Sequence, residues 1–210
     1  MGISERKERE KHQRRNDIIN AAEKLFFSKG LANTTMDEVA KEAEYSKGTL
    51  YLYFKSKEDL YLAITVRGMK ILEKMFREAL KVSENGLCKS RRMGETYFEF
   101  AHKYPNYFNS MVYFETSDIQ IDNNENAQTC EEQVNRTLQP VVEAVQEGIN
   151  DESIRSDLDP LQVATVMWAH CTGIITVISQ RGSHIEEQHG VKVNDLVELS
   201  FEMIGRSLKK

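Results

Sequence analysis

Apolar residues recur along this chain three and four positions apart, the spacing of one face of a helix, and the alternation of a half-buried strand is scarce. The first stripe, Ile18, Ile19, Ala22, Leu25 and Phe26, predicts a helix that Gly30 ends as a left-handed stop. Thr35-Met36-Asp37-Glu38 reads as a capping box, in which Thr35 caps the Glu38 amide and the Glu38 side chain reaches back. Val39, Ala40 and Ala43 give this second helix a small apolar face. It must be short, because Ser46 opens another helix soon after Ala43. Ser46 is placed to cap Thr49, and Leu50 and Phe54 lie one turn apart on the inward face. Ser56-Lys57-Glu58-Asp59 starts a fourth helix in the same way. Its apolar positions Leu60, Ile64, Leu72, Met75, Phe76 and Leu80 carry it to about residue 81.

Helical spacing continues to the end. Segments 91–103 and 105–114 part at Tyr104-Pro105, where proline suits the first turn of a new helix. Residues 115–127 have the least ordered pattern, with Asn123, Asn124 and Asn126 and no basic residue between Tyr104 and Asn135. A helix over 130–149 contains Pro140, which predicts a kink or a break near Gln139. Asp159-Pro160 joins a good N-cap to a proline at N1. It launches a strongly apolar helix through Leu161, Val163, Ala164, Val166, Met167, Trp168, Ile174, Ile175 and Ile178. A Gly- and His-containing loop over 182–192 leads to a last helix striped by Leu196, Val197, Phe201, Ile204 and Leu208. The expected fold class is all-α.

With 210 residues, the chain has room for a small domain joined to a medium one. Hydrophobic residues at 40%, charged residues at 29% and only 3 prolines suit a packed helical core and argue against disorder. No stretch approaches the roughly 18 apolar residues of a membrane span. The first fifteen residues are charged throughout and lack the apolar middle of a signal peptide, and Arg6 stands where myristoylation of Gly2 wants Ser or Thr. A cytoplasmic protein with no membrane partner is expected. Cys88, Cys130 and Cys171 are widely spaced and odd in number, and read as free thiols. A net charge of −5 is unpromising for a nucleic-acid partner, but it is unevenly spread. Residues 1–57 hold 12 Lys and Arg against 9 Asp and Glu, and the rest hold 16 against 24. Positive excess at one end is the footprint of a chain whose N-terminus alone meets phosphate.

Two short helices separated by Ala43-Glu44-Tyr45, with a longer helix on either side, describe a helix-turn-helix. Its second helix enters the major groove N-terminus first, which brings Lys47 and Thr49 to base edges, and Gly48 lets the backbone approach. Tyr51 and Tyr53 point away from Leu50 and Phe54. Their hydroxyls suit phosphate oxygens, as do Lys57 and the first amides of the fourth helix. The string Thr34-Thr-Met-Asp-Glu-Val-Ala-Lys-Glu-Ala, followed by Ser46-Lys-Gly-Thr-Leu-Tyr-Leu-Tyr-Phe-Lys-Ser-Lys-Glu-Asp-Leu60, resembles the DNA-binding region of the TetR family. The resemblance runs from about Arg15 to Leu62, a quarter of the chain. It implies a three-helix DNA-binding head, a helical body that binds ligand and dimerises, and about nine helices in all. It also implies a homodimeric repressor that leaves a palindromic double-stranded operator when a small hydrophobic inducer binds. Thr35, Lys47, Thr49, Tyr51, Tyr53 and Lys57 match positions that usually touch DNA. The turn departs from the family, which has glycine and an aliphatic residue where this chain has Glu44-Tyr45. Glu44 is expected at positive φ, at a cost of about 1 kcal/mol.

On this reading residues 12–72 form the DNA-binding domain and 73–210 the ligand-binding and dimerisation domain. Arg6, Lys7, Arg9, Lys11, Arg14 and Arg15 suit a minor-groove arm. Their interleaving with Glu5, Glu8 and Glu10 favours a frayed helical extension instead. The pocket is expected among 97–114, 134–149 and 164–178, with Phe100, Tyr104, Phe108, Met111, Val142, Trp168, His170 and Cys171 as candidate walls. Lys and Arg are nearly absent there, while Glu115, Asp118, Glu143 and Glu147 lie within or beside these stretches. A lipophilic neutral or cationic molecule is therefore expected, with an acyl chain or its thioester as the alternative. The last two helices are expected to form the dimer through Trp168, Ile175, Phe201 and Ile204. His184, Glu186, Glu187 and His189 have metal-ligand side chains but read as a polar loop, and no metal or cofactor is expected. No phosphate loop, nucleophile elbow or metal-spaced His/Cys cluster supports an enzyme. A reading helix on a weakly charged head disfavours a sequence-blind architectural binder.

Overall fold

The computed structural model describes residues 2–81, 84–117 and 124–210; among these the regular elements are nine α-helices. They are α1 Ile3–Lys29, α2 Met36–Glu42, α3 Lys47–Tyr53, α4 Lys57–Ala79, α5 Gly86–Lys103, α6 Pro105–Thr116, α7 Glu125–Asn150, α8 Pro160–His189 and α9 Val193–Leu208. Asp118 and Asn123 lie outside the described residues. The chain forms two compact units, Met1–Gly68 with Asn109–Glu131 and Met69–Phe108 with Glu132–Lys210. The single division expected at residue 72 leaves out the return of Asn109–Glu131 to the first unit.

In the first unit Ile18, Ala22, Val39, Leu50, Phe54, Leu60 and Ile64 are buried. The basic N-terminal segment is helix from Ile3, laced by pairs such as Arg6 Nε–Glu10 Oε1 at 2.9 Å. Gly30 ends α1 at φ 84, ψ 158, a region open to glycine alone rather than the left-handed stop expected. Asn109–Glu131 is held here by specific contacts. The Thr65 hydroxyl donates to the Ser110 carbonyl at 3.3 Å, and Tyr61 meets Tyr113 edge-on at 5.1 Å. Asn124 accepts from the amides of Asn126 and Ala127 at the start of α7, while its Nδ2 donates to Asp59 Oδ1 at 2.7 Å.

In the second unit α5 begins five residues before the expected Arg91. Asn85 caps the Cys88 amide at 2.9 Å. The Gly86 and Leu87 amides donate to Asp151 Oδ2 at 2.7 Å and Ser153 Oγ at 3.0 Å. Those acceptors satisfy donors that a helix start otherwise leaves open. Helix α7 runs unbroken through Pro140, so there is no break at Gln139. Proline removes one amide there, and Arg136, whose carbonyl would have received it, is an exposed position. The loop expected over 182–192 is helical as far as His189. Gly182 alone costs a helix about 1 kcal/mol, too little to end one this long. Gly190, at φ 65 and ψ 16, is the true left-handed terminator. One further expectation needs correction. Helix α8 carries an 18-residue window of mean hydropathy 1.5, long and apolar enough by composition to cross a membrane. Its Val163, Ala164, Met167, Cys171 and Ile175 are buried in the unit, and 28% of the window as a whole is buried.

Candidate nucleic-acid interface

Three local devices build the reading element. Thr35 Oγ1 accepts from the Glu38 amide at 3.3 Å while the Thr35 amide donates to Glu38 Oε2 at 2.8 Å, closing the capping box that starts α2, and the Thr35 hydroxyl also donates to Oε2 at 3.0 Å. Lys29 Nζ meets Glu38 Oε1 at 2.5 Å, and that pair, with the Thr35 bonds, holds the Glu38 carboxyl down at about 2. Ser46 Oγ accepts from the Thr49 amide at 3.1 Å and starts α3. Between the two helices the Tyr45 amide donates to the Ala40 carbonyl at 3.0 Å and the Glu44 amide to the Lys41 carbonyl at 3.2 Å. This is a Schellman ending whose left-handed residue is Glu44, at φ 58. The Tyr45 hydroxyl donates to Asp17 Oδ2 at 3.0 Å and ties the turn to α1. Burial, reinforced by that hydrogen bond, raises the Tyr45 pKa.

Leu50 and Phe54 face inward at 0% and 1% exposure, and the Arg15 guanidinium lies 5.0 Å over the Phe54 ring. Lys47, Gly48 and Tyr51 are exposed, with Thr49 and Tyr53 half-buried beside them. Their partners in the free protein differ. Lys47 Nζ sits 2.6 Å from Asp37 Oδ1, a bond that raises the Lys47 pKa. Thr49 shares a hydroxyl hydrogen bond with Ser46 at 2.8 Å. Lys57 Nζ donates to the Leu31 and Ala32 carbonyls at 3.0 and 3.4 Å, so it braces the α1–α2 loop. Thr35 spends its hydroxyl proton on Glu38, which leaves it no donor for a phosphate in this conformation. Sequence reasoning passed over Leu52, which is 83% exposed between Tyr51 and Tyr53. The signal was available: at about 100° per residue, Leu52 lies opposite the midpoint of Leu50 and Phe54.

The candidate pocket residues do not meet around one cavity. Phe100, Phe108 and Met111 are buried core, Met111 in the first unit and the others in the second. Tyr104 lines an open groove with Ile71 and Met75, and Val142 lines a shallow one with Gln139 and Gln146. Trp168 stacks on Tyr97 at 4.9 Å beside a gap of only about 10 Å³ that Cys171 also borders. Burial pushes the Cys171 thiol up to about 12. Among the described residues, His170 Nε2 is buried without a hydrogen-bond partner. A larger cavity of about 290 Å³ lies between α5, α8 and α9, walled by Leu87, Met167, Cys171, Phe201, Ile204 and Leu208. Its charged lining is Arg91, Arg206, Lys209 and Glu202. Of the acids expected near a pocket, Glu147 is engaged by Lys89 at 2.5 Å and Glu143 faces solvent. His184, Glu186, Glu187 and His189 stand on α8, where Glu186 accepts from the Val193 amide at 2.9 Å. Of the expected dimer residues Ile175 and Phe201 are core, at 5% and 7% exposure. The apolar side chains that α8 and α9 leave in solvent are Leu161, Val166, Val177, Leu199 and Met203.

Residues 18–64 match the family described as bacterial regulatory proteins, tetR family. The HTH-type transcriptional activator FasR of Mycolicibacterium smegmatis is 35% identical over 88 residues, 42% of this chain and 40% of FasR. The HTH-type transcriptional regulator QacR of Staphylococcus aureus is 38% identical over 78 residues, 37% of this chain and 39% of QacR. The chain therefore aligns with about two fifths of the length of these curated relatives. The likeness of fold extends further. The transcriptional regulator FadR of Bacillus subtilis, solved in complex with stearoyl-CoA, superposes with a TM-score of 0.66. That superposition covers 91% of this chain and 98% of FadR at 19% identity.

Proposed function

Because the chain belongs to the tetR family of bacterial regulatory proteins, whose named relatives are transcriptional regulators and not enzymes, we propose that it is a homodimeric, cytoplasmic repressor released from a palindromic operator by a small hydrophobic ligand. The observation that carries this reading is α3 itself. It is capped by Ser46, anchored by Leu50 and Phe54, and turns Lys47, Gly48, Thr49 and Tyr51 outward. Residues 12–72 supply the DNA-binding domain, with Lys47 and Thr49 reading bases and Thr35, Gly48, Tyr51, Tyr53 and Lys57 flanking them along the backbone. Residues 73–210 supply ligand binding and dimerisation. Leu161, Val166, Val177, Leu199 and Met203 are apolar surface on the last two helices that a twofold copy would cover. One reading helix meets only half a site, and a dimer doubles the contacts at a spacing of roughly one DNA turn or a multiple of it.

For the ligand the α5–α8–α9 cavity is the favoured seat, apolar in its walls and near the lower end of the usual range of about 300–1,000 Å³. Three cations against one carboxylate favour a hydrophobic molecule with a neutral or anionic head over the cationic one expected from composition. FadR holds an acyl thioester, a molecule of that chemistry. Release requires the ligand to prefer the conformation whose heads no longer match the operator. The test joins footprinting on selected DNA, light scattering, and titration with fatty acyl compounds and cationic dyes while operator occupancy is followed. A dimer displaced by acyl compounds alone supports the reading. A monomer at micromolar concentration refutes the dimer, displacement by cationic dyes alone refutes the ligand class, and activation of the target promoter refutes repression.

A further inference from the structure

On the premise that α3 reads DNA, we infer that Leu52 reads the 5-methyl group of a thymine in each half-site. Leu52 is 83% exposed, the largest value among the exposed large apolar side chains of the described residues. In a seven-residue helix anchored by Leu50 and Phe54, it stands about 200° round from each, on the outermost line of the reading element. Gly48 is one turn before it on the same line. Helical side chains lean toward the N-terminus, so Leu52 leans over Gly48, which has no side chain to shield it. Beyond the Gly48 backbone an added Cβ would meet only Ser46 Oγ, at 3.8 Å, so the line is open from its first turn.

The chemistry on that line selects its partner. Lys47 and Thr49, to either side, supply polar groups for base edges, whereas Leu52 can neither donate nor accept a hydrogen bond. The major groove offers one hydrocarbon group on an unmodified base pair, the C5 methyl of thymine. An aliphatic side chain beside that methyl removes apolar surface of both from water, and it discriminates against cytosine, which lacks the methyl.

The full-length protein is given random duplex DNA, and the selected operator is resynthesised with each thymine singly replaced by deoxyuridine. This removes the methyl and leaves the hydrogen-bonding edge unchanged. For the wild-type chain one position per half-site should lose about four- to tenfold in affinity, the scale of one buried hydrocarbon group. Leu52→Ala should bind the unmodified operator more weakly by a similar factor, ignore the swap at that position, and melt at the wild-type temperature because the side chain is exposed. Wild-type indifference to every uracil would overturn the assignment, as would Leu52→Ala keeping full sensitivity to the swap. Failure to select any sequence would overturn the regulator reading and this inference with it.

Discussion

Replacing Glu44 with glycine should stabilise the protein, although it deletes a charged side chain from a surface turn. Glu44 holds φ 58 as the left-handed residue of the Schellman ending of α2, with its amide bonded to Lys41 and the next amide to Ala40. The left-handed conformation costs an L-residue with a Cβ roughly 1–2 kcal/mol. Glycine escapes that cost but gives the unfolded chain freedom worth about 0.4–1 kcal/mol. The difference leaves Glu44→Gly more stable by about 0.5–1 kcal/mol. If the chain melts as one transition, its midpoint should rise by about 1–4 °C, given a shift of about 2–4 °C per kcal/mol at this size. Glu44→Ala separates backbone from charge, since it removes the carboxylate and keeps the Cβ. Urea and thermal unfolding should therefore show a gain for Gly and none for Ala. Both variants should bind operator somewhat more tightly at low salt, having lost an anion beside the reading helix. An equal gain in stability from Ala would refute the reasoning, because it would place the cost in the carboxylate and not in the backbone.

Two further substitutions probe contacts inside the first unit. Glu38, held at about 2 against an ordinary 4.5, binds its proton more weakly in the folded chain than in the unfolded one. Its contribution is complete above pH about 4.5 and is lost as pH falls toward about 2; acid unfolding of Glu38→Gln should lack that loss, and an acid limb identical to wild type would count against it. Asn124→Ala removes the cap of α7 and unpairs Oδ1 of Asp59, which is only 5% exposed, so denaturant unfolding should show a loss of about 2 kcal/mol. Asn124→Asp keeps the cap but sets a second carboxylate against Asp59, and should cost at least as much at neutral pH.

The head was legible because its instructions are local. Thr35 and Glu38, Ser46 and Thr49, and Ser56 and Asp59 are each three residues apart, and each pair forms the bond its spacing predicts. Glu44 at positive φ follows instead from the resemblance, which places a glycine at that turn position. Elsewhere the outcome depended on partners distant in sequence. The first turn of α5 takes Asp151 and Ser153, over sixty residues away, as acceptors, and its one local sign is the Asn85 cap, which apolar spacing does not reveal. Gly182 resembles a stop as much as Gly190 does. Which one acts depends on backbone conformation at the end of the helix, and composition is silent about that.

The pocket shows the same dependence in the sign of its charge. Counting Lys and Arg within 97–114, 134–149 and 164–178 assumes that a ligand sees the residues of those helices and few others. The apolar cavity of about 290 Å³ between α5, α8 and α9 instead borrows Arg91 from α5 and Arg206 and Lys209 from the chain's last turn. Arg91 is more than 100 residues from Arg206 and Lys209 in sequence, yet all three line one cavity with Glu202 as the opposing carboxylate. Arg91 and Arg206 are already paired, Arg91 with Glu95 and Glu198 and Arg206 with Glu202, so an anionic head group must compete with existing partners. Exposed pairs of this kind hold by only about 0–1 kcal/mol each. Exchange is therefore inexpensive, and a ligand that makes it frees carboxylates on α9, the helix that also presents Leu199 and Met203 to solvent. On the proposed function, ligand charge and dimer geometry would share one element, a route for the coupling that operator release requires.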